Sequence, residues 1–521
     1  MHILFQLLSS IVVTLVLYAS YLLFNIVQFR INSQIKDVPG PPSKHWFWGN
    51  MKEIMDSDAA VLHEKWVEEY GHTLKYKMLF GRERLFTMDT KALNHVLMNH
   101  YIYQKPEAAR YNLSQILGEG ILVTEEDKHK LQRKIMNPAF GPSQIRELTE
   151  IFVDKSIELR DVWAARIAAG GGEARIDVLS SLSKMTLDVI GLAGFNYKFN
   201  ALKDDGGSNE LNKAFAVIFG DPEAQKIRPW PLAQTLLPPL RGLPSQDPPG
   251  FKEAKKTMSR IGHNLLRDTQ ASLRDTGGEK SENWDSRDLL SLLVRSNMSG
   301  EQGQMSDDDV LAPQVTSISY KKEKNSLFQA TTWALFALVQ HPDVQHKLRE
   351  ELLYTLSTEN PSMDELNSLP YLDKVVRETL RVHAPVPGTM RVAAKDDVIP
   401  LGKPLIDRKG VARDSVSVQK GQTIFVPILA INRDKSLWGE DSMEFKPERW
   451  DNLPAAVSSI PGVWVEMKAL LFILVRNFEF ELAVPADDVI AKSTVVQRPR
   501  LKSEKDAGSQ LPLIVRLHQK A

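Results

Sequence analysis

The 521-residue sequence contains no cysteine. A chain without cysteine forms no disulfide, no iron–sulfur cluster and no cysteine-ligated zinc site, and it provides no thiolate for catalysis. The sequence also lacks an excess of either charge, because 65 lysine and arginine residues balance 65 aspartate and glutamate residues. Proteins that bind nucleic acids usually carry a basic surplus, so we do not expect a nucleic-acid partner.

The remaining composition is that of a folded globular protein. Hydrophobic residues make up 43% of the chain and charged residues 25%, which argues against a wholly disordered protein. The length is sufficient for one large domain or for two to three ordinary ones. The sequence contains no internal repeat and no low-complexity segment.

The N-terminal segment is uncharged and apolar. Residues 3–29 contain no Lys, Arg, Asp or Glu, and they exceed the roughly 20 apolar residues that cross a bilayer as a helix. A cleaved signal peptide would have a shorter apolar region, a charged start and a small-residue cleavage site, and a buried core helix is the other alternative. Arg30 and Lys36 follow the segment, so the positive-inside rule places the rest of the chain in the cytosol. We predict a single-pass anchor at residues 1–30.

Beyond the anchor, the sequence predicts a proline-rich hinge and one large domain. Val38-Pro39-Gly40-Pro41-Pro42 stiffens residues 31–50, because proline fixes φ and blocks helix continuation. Residues 51–521 are expected to form a mainly helical domain with a small β portion. Apolar residues recur at helical spacing in seven segments: Asp58–Tyr70, Gln144–Ala169, Asp177–Gly194, Gly250–Arg274, Ser286–Ser296, Ser326–Ser357 and Met363–Arg381. Short strands are expected at Thr73–Met78 and Thr423–Ile428.

Two charged motifs lie in the C-terminal third of the sequence. Glu378 and Arg381 stand three residues apart and therefore share one face of a predicted helix. Such a pair alone is typical of a solvated surface. Arg449, in the segment Phe445–Trp450, can complete a triad in which one buried carboxylate accepts hydrogen bonds from two guanidinium groups. The combination favours a buried triad over a surface pair.

The order and spacing of these motifs resemble one protein family. With the anchor, the hinge, His129-x-x-x-Arg133 and Asn432–Gly439, the chain resembles a membrane-bound cytochrome P450 of the fungal microsomal type. The resemblance covers nearly the whole sequence. It implies a cytochrome P450-like fold, mainly α with a small β portion, behind a single N-terminal transmembrane helix.

The resemblance also assigns roles to individual residues. It implies that Glu378, Arg381 and Arg449 form a structural triad beneath the haem. It implies further that Arg133 and Arg391 bind the haem propionates, a task suited to guanidinium groups because they bind carboxylates bidentately. His129 stands where many relatives carry tryptophan, and a surface histidine is the alternative for this position.

A function follows from the same resemblance. It implies a haem-dependent monooxygenase that activates O2 and oxidises a lipophilic small molecule, in secondary metabolism or in xenobiotic oxidation. Electrons would come from NADPH through a reductase. The expected location is the endoplasmic reticulum membrane, with the domain facing the cytosol, so membrane lipid, the reductase and the substrate are the expected partners.

Two blocks of the sequence depart from the family pattern. The loop F-x-x-G-x-R-x-C-x-G, whose cysteine ligates the haem iron, is missing at the junction of Trp464 and Val465. Residues 313–329 stand where the family has A-G-x-[ED]-T, the motif that opens the oxygen groove and relays protons. No catalytic residue of that motif is intact, and Ser326 lies nearest to the family threonine. We expect a solvated loop in this block up to Ser326, because its lysines would be costly to bury.

These departures leave three hypotheses. The gene product is a monooxygenase and the chain reflects a mis-spliced transcript, or the protein is an inactive membrane-anchored pseudoenzyme, or it is a non-functional product that folds poorly. A histidine-ligated electron carrier is disfavoured, because the segment from Trp450 to Val465 contains no histidine. Both departures are abrupt and confined to blocks, which favours the first hypothesis.

Overall fold

The chain is organised into two compact units in the computed structural model. Unit 1 comprises Met1–Pro106 and Gly388–Ala430, and unit 2 comprises Glu107–Pro387 and Ile431–Ala521. The fold is mainly helical with small sheets, as the sequence predicts. The structure describes residues 2–137, 141–203, 210–215, 217, 229–244, 247, 249–275, 288–299, 325–453, 465–493 and 496–518.

The helices are distributed over both units. Those of unit 1 are α1 (His2–Ile31), α2 (Met51–Asp56), α3 (Val61–Tyr70) and α4 (Thr90–Met98). The first half of unit 2 contains α5 (Glu107–Leu117), α6 (Glu126–Met136), α7 (Pro142–Ala169), α8 (Val178–Phe195), α9 (Glu210–Phe215), α10 (Pro229–Leu236), α11 (Phe251–Asp275) and α12 (Leu289–Ser299). There follow α13 (Asn325–Gln340), α14 (Pro342–Tyr354), α15 (Met363–Asn367), α16 (Pro370–Val382), α17 (Ile428–Asn432), α18 (Lys435–Trp438) and α19 (Val465–Asn477).

The strands form one five-stranded sheet and three smaller ones. Unit 1 contains β1 (Thr73–Lys77), β2 (Glu83–Thr87), β3 (Tyr103–Gln104), β5 (Thr389–Ala393), β6 (Asp397–Ile406), β7 (Ala412–Val418) and β8 (Thr423–Val426). Unit 2 contains β4 (Glu173–Asp177), β9 (Phe478–Leu482), β10 (Val489–Ser493), β11 (Gln497–Leu501) and β12 (Pro512–Leu517). Sheet orders are β1-β2-β8-β5-β3 and β4-β12-β9, with β6-β7 and β10-β11 as two-stranded pairs.

The sheet of unit 1 joins two distant parts of the chain. β2 pairs in parallel with β8, with Leu85 opposite Ile424, whereas its pairing with β1 is antiparallel. Leu85 and Ile424 are both buried and belong to the unit 1 core. β-branched and large apolar side chains pack well on such a pleated surface, which explains why these short segments form strands.

The segment predicted as a hinge packs against this sheet. Ile35 is fully buried in the unit 1 core. The ammonium of Lys75 donates to the carbonyl oxygen of Lys36 at 2.6 Å and forms an ion pair with Glu83 at 2.7 Å. A Cβ atom at Gly40 would lie 1.9 Å from the carbonyl oxygen of Lys75, so only glycine permits this approach. The hinge segment is thereby fastened to β1.

Unit 2 is built around two helices that are apolar on almost every side. α13 buries Trp333, and α19 buries the run from Ala469 to Val475. A helix that is hydrophobic all round is expected in the middle of a large core. α19 contacts α7, α13, α14, α15 and α16. The helix that follows the Trp464–Val465 junction is therefore a central part of the unit 2 core.

One buried cation of α19 provides a test of this docking. Lys468 is 5% exposed, and its ammonium lies 2.8 Å from Asp373 and 3.0 Å from the side-chain oxygen of Asn367. We expect Lys468→Met to lower the free energy of unfolding by about 1–3 kcal/mol, because charge-assisted hydrogen bonds are lost while Asp373 keeps its contact with Arg377. Urea unfolding measures the change. Lys347→Met, which removes an exposed ion pair, is the control and is expected to cost less than about 1 kcal/mol; equal losses would contradict the prediction.

Two segments that were each predicted to form one helix form two helices instead. The segment Ser326–Ser357 was expected to be one helix, but α13 ends at Gln340 and α14 begins at Pro342. The segment Met363–Arg381 is likewise divided between α15 and α16, and α16 begins at Pro370. Proline lacks an N–H and fits the first position of a helix but not its interior, so each proline starts a new helix.

The solvated loop predicted up to Ser326 is wrong for its last two residues, because the helix predicted from Ser326 begins one residue earlier. α13 begins at Asn325, so Ser326 lies in its first turn, and Gln329 is fully buried. The residues that follow in α13 are buried and stabilise the helix by packing. This stabilisation outweighs the low helix propensity of Asn325 and Ser326 at its N-terminal end. Residues 313–324 and the residues on the N-terminal side of the Trp464–Val465 junction, 454–464, lie outside the described residues.

Among the described residues, one helix is long and apolar enough to cross a membrane. This helix is α8, and 78% of its apolar window is buried inside the protein, as in a core helix. The predicted anchor forms α1, on which the side chains of Phe5, Leu17 and Phe24 are exposed.

Candidate functional site

The site is positioned by α16, an amphipathic helix. Tyr371, Leu372, Val375 and Val376 are buried on one face. The carboxylate of Glu351 accepts hydrogen bonds from the first free backbone N–H groups of the helix, those of Tyr371 and Leu372, at 2.7 and 2.8 Å. An anion at a helix N-terminus compensates both the unpaired N–H groups and the helix dipole.

Glu378 and Arg381 lie on the buried face of α16, one turn apart. Glu378 is fully buried and Arg381 is 3% exposed. The guanidinium of Arg381 donates to both carboxylate oxygens of Glu378, from Nε at 2.8 Å and from Nη2 at 2.7 Å. Two parallel charge-assisted hydrogen bonds of this kind are strong and geometrically specific. The pair is thus buried, and the surface alternative is wrong.

The remaining N–H groups of Arg381 donate to backbone carbonyl oxygens of residues 432–444. Nη1 donates to the carbonyl oxygen of Asn432 at 2.9 Å and also to that of Ser442, and Nη2 donates to that of Glu444 at 2.8 Å. Arg433 donates to the carbonyl oxygen of Val382 at 2.9 Å from Nε. The end of α16 is therefore fixed to residues 432–444, which contain α18 and several turns.

Arg449 contacts the pair at its edge. Its Nε lies 3.5 Å from Oε1 of Glu378, but its shorter hydrogen bonds go to Asp441, from Nη1 to Oδ1 at 2.6 Å and from Nη2 to the carbonyl oxygen at 2.7 Å. Glu378 instead accepts from the indole N–H of Trp450 at 3.0 Å and from the backbone N–H of Lys446 at 2.9 Å. The structure thus brings the three predicted residues together, with one guanidinium on Glu378 and the other mainly on Asp441.

The charge of Asp441 is fixed by this arrangement. The hydrogen bond from Arg449, together with the nearby ammonium of Lys446, lowers the pKa of Asp441 to about 2. The carboxylate is therefore ionised throughout the physiological pH range. The carboxylates of Glu378 and Asp441 are thus each paired with a guanidinium group, those of Arg381 and Arg449.

The residues expected at the haem belong to three elements, α6 and α13 of unit 2 and β5 of unit 1. His129 and Arg133 lie one turn apart on α6 in unit 2, where His129 is half-buried and Arg133 is exposed. Arg391 lies on β5 in unit 1, and its Nη1 donates to the carbonyl oxygen of Met390 at 2.8 Å. Ser326 lies in α13. The roles assigned to these residues stay predictions.

Sequence reasoning missed a second feature of the site, the stacking of His383 on Trp333. The two rings are parallel, with an interplanar angle of 5° and centroids 5.0 Å apart, and the indole N–H of Trp333 donates to the carbonyl oxygen of Gln497 at 3.3 Å. Burial, followed by the charges of Arg433, His341 and Arg381, lowers the pKa of His383 to about 3. The signal available in the sequence was the position of His383, two residues after Arg381.

The donor set of the chain does not fit a haem held by a thiolate. The sequence contains no cysteine, so no residue can provide the sulfur ligand that the family uses. Within the described ranges, no group of three or more His, Cys, Asp or Glu side chains is arranged to hold a metal ion. The supporting triad is therefore present without the iron ligand that it would support.

Comparison with known proteins identifies a family and several relatives that are similar to this chain. The family described as Cytochrome P450 matches residues 39–459. Cytochrome P450 monooxygenase 205 of Postia placenta is 53% identical, with 93% of each chain covered. Cytochrome P450 monooxygenase 128 of the same organism is 48% identical over 97% of each chain, and cytochrome P450 monooxygenase claQ of Ampulloclitocybe clavipes is 34% identical over 92% of each chain.

Two further details of the comparisons concern the extent of the matches. The family match ends at residue 459, before the junction of Trp464 and Val465. The alignment with monooxygenase 128 runs over 532 positions, more than the 521 residues of this chain, so that relative has residues without a counterpart here. Because the family match covers most of the sequence and relatives above 30% identity align with more than nine-tenths of it, the chain belongs to the cytochrome P450 family.

Proposed function

We propose that the intact gene product is a cytochrome P450 monooxygenase that uses haem and O2 to oxidise a lipophilic small molecule. The observation that carries this proposal is the buried Glu378–Arg381 pair with its hydrogen bonds to residues 432–446, set in a chain that matches the family from residue 39 to residue 459. NADPH would supply the electrons through a reductase. Secondary metabolism or xenobiotic oxidation is the proposed setting.

The proposed location is the endoplasmic reticulum membrane, with α1 as a single-pass anchor. On α1 the apolar side chains of Phe5 and Leu17 are 73% and 65% exposed, and no charged residue occurs before Arg30. Such a surface is unfavourable in water and favourable in a bilayer. Arg30 and Lys36 follow the helix, which supports a cytosolic position for both units.

The iron ligand requires a segment that this chain does not contain. When bound, haem with a thiolate ligand would supply the oxidising chemistry, and the triad would support the backbone beneath it. Trp464 is followed directly by Val465, the first residue of a helix that is buried from Ala469 to Val475. We propose that the functional transcript encodes a cysteine loop between these two residues, and an inactive pseudoenzyme is the alternative.

Carbon-monoxide difference spectroscopy tests this proposal. The 521-residue chain, expressed with haem and reduced, is expected to lack the red-shifted carbon-monoxide band of a haem thiolate, because it has no cysteine to provide the sulfur ligand. Sequencing the spliced transcript across codons 310–333 and 460–470 is expected to reveal a cysteine loop, and its product is expected to show the band. A matched variant of that product with the cysteine replaced by serine is the control and should lose the band. A transcript that reads from Trp464 into Val465 would refute the proposal and leave the pseudoenzyme.

A further inference from the structure

Arg498 on β11 is a partly buried cation without a counter-charge. Its Nε donates to the side-chain oxygen of Gln329 at 2.9 Å, with the amide of Gln329 oriented so that its nitrogen donates to the carbonyl oxygen of Gln497. In the part of the chain that the structure describes, no carboxylate forms an ion pair with Arg498, and its two terminal nitrogen atoms have no hydrogen-bond acceptor. Burial, followed by the like charge of Arg500, lowers the pKa of Arg498.

Two other buried guanidinium groups of unit 2 have several acceptors. Arg381 donates to both carboxylate oxygens of Glu378. Arg349 donates to the side-chain oxygen of Gln345 at 2.8 Å and to two backbone carbonyl oxygens at 3.0 and 2.9 Å. A charge that is taken out of water without such partners costs stability. The lack of partners at Arg498 therefore indicates a role in binding an anion that is not part of the chain.

Arg498 lies beside the first turns of α13. The carbonyl oxygen of Gln497, the preceding residue, accepts from the indole N–H of Trp333 at 3.3 Å. The N–H of Gln497 donates at 2.7 Å to a carbonyl oxygen of the segment that follows α16. Gln329, the hydrogen-bond partner of Arg498, comes three residues after Ser326 on α13, which is about one helical turn. The guanidinium is thus held close to the part of α13 on which the proposed function depends.

Arg498 lies outside the two blocks that depart from the family pattern, but Gln329 is the last residue of the block 313–329. A transcript product with an apolar residue at position 329 would leave Nε of Arg498 without this acceptor as well. The guanidinium would then depend even more on an external anion.

We propose that Arg498 binds the carboxylate of a lipophilic substrate through its two terminal nitrogen atoms. This inference rests on the proposed function, because it assigns a chemical class to the molecule that the monooxygenase oxidises. A guanidinium group binds a carboxylate bidentately, and its single charge matches a carboxylate better than a phosphate, which carries nearly two. α13, which Arg498 contacts through Gln329, is otherwise apolar and buries Ala330 and Trp333, so the rest of the ligand is expected to be apolar.

Binding of two matched probes to the 521-residue chain in an uncharged detergent tests the proposal. The probes are naphthoate and naphthamide, which share one ring system but differ in charge, and isothermal titration calorimetry measures both dissociation constants. We expect naphthoate to bind about tenfold more tightly than naphthamide, the usual gain from hydrogen bonds to a charged group. Arg498→Gln should weaken the binding of naphthoate by about the same factor and leave that of naphthamide unchanged.

Arg500→Gln is the matched control. Arg500 follows Arg498 by two residues on β11 and therefore lies on the same face of the strand, and its Nε lies 3.4 Å from Oγ of Ser509. We expect this change to leave both dissociation constants unaltered. The proposal is overturned if both arginine variants lose naphthoate equally, if the unchanged protein binds both probes equally, or if it binds neither.

Urea unfolding gives a second readout that needs no ligand. Because the charge of Arg498 is partly buried and has no counter-charge, Arg498→Gln is expected to leave the urea midpoint unchanged or to raise it. A lower midpoint together with an unchanged affinity for naphthoate would show that Arg498 supports β11 and binds no ligand.

The binding experiment needs no haem, so its failure is distinct from failure of the proposed function. If a transcript product with a cysteine loop shows the carbon-monoxide band but binds both probes equally, the monooxygenase stands and the carboxylate assignment fails. If that product lacks the band but prefers naphthoate through Arg498, the monooxygenase function fails and the carboxylate site stands as that of a binding protein.

Discussion

Glu378→Gln is expected to lower the free energy of unfolding by about 3–5 kcal/mol, the usual cost of breaking a buried ion pair from one side. Glutamine keeps the shape of the side chain but removes its charge, so the guanidinium of Arg381 stays buried without a counter-charge. The indole N–H of Trp450 and the backbone N–H of Lys446 also lose a charged acceptor. Urea unfolding of the detergent-solubilised chain measures the effect.

Two controls separate burial from charge in this experiment. Glu350→Gln removes an exposed carboxylate of α14, and we expect a change below about 0.5 kcal/mol. Combining Glu378→Gln with Arg381→Gln should cost less than the sum of the two single changes, because the residues interact directly. Additive losses, or equal losses for Glu378→Gln and Glu350→Gln, would show that the pair is not buried as described.

Mild acid is expected to destabilise both units through two buried histidines. Burial, with a smaller contribution from Arg84, lowers the pKa of His63 in unit 1 to about 4, and the pKa of His383 in unit 2 is about 3. In the unfolded chain both imidazoles have a pKa of about 6.5 and bind a proton below that pH, while the folded protein keeps them neutral. The stability is therefore complete above pH 6.5 and decreases as the pH falls towards 4 for His63 and towards 3 for His383.

The expected slope is about 1.4 kcal/mol per pH unit for each histidine within its range. By pH 5 each unit would have lost roughly 2 kcal/mol from this cause. Urea unfolding from pH 7.5 to pH 5 measures it, and His63→Phe and His383→Phe are the matched variants. Phenylalanine keeps the ring stacking of His63 on Phe86 and of His383 on Trp333 but binds no proton. Slopes that are unchanged in the variants would assign the acid effect to other groups.

The local pattern of the sequence predicted most of the helices well. α3, α7, α8, α11 and α12 occur where apolar residues recur at helical spacing, because one buried face is enough to define a helix in this protein. The breaks at Pro342 and Pro370 were missed because the apolar residues keep their helical spacing across both prolines. The spacing of apolar residues gives no information about the backbone N–H that proline lacks.

The site was less accessible to sequence reasoning than the helices. The spacing of Glu378 and Arg381 predicts a shared helix face, and burial turns that face into a bidentate pair. The direction of the Arg449 guanidinium could not be predicted, because it depends on the backbone of residues 438–441, which brings Asp441 within 2.6 Å. Pairing of β2 with β8 was equally inaccessible, since neither strand carries any local information about its partner.

The pairing of β2 with β8 has a consequence for biosynthesis. Residues Glu83–Thr87 leave the ribosome long before Thr423–Val426, and at about 5–20 residues per second the interval lasts on the order of tens of seconds. During that time the edge of β2 that will face β8 has no partner, and an unpaired strand edge can recruit other chains. Unit 1 therefore closes only after Glu107–Pro387 has been translated, and its first half keeps an unpaired strand edge until Gly388–Ala430 has been synthesised.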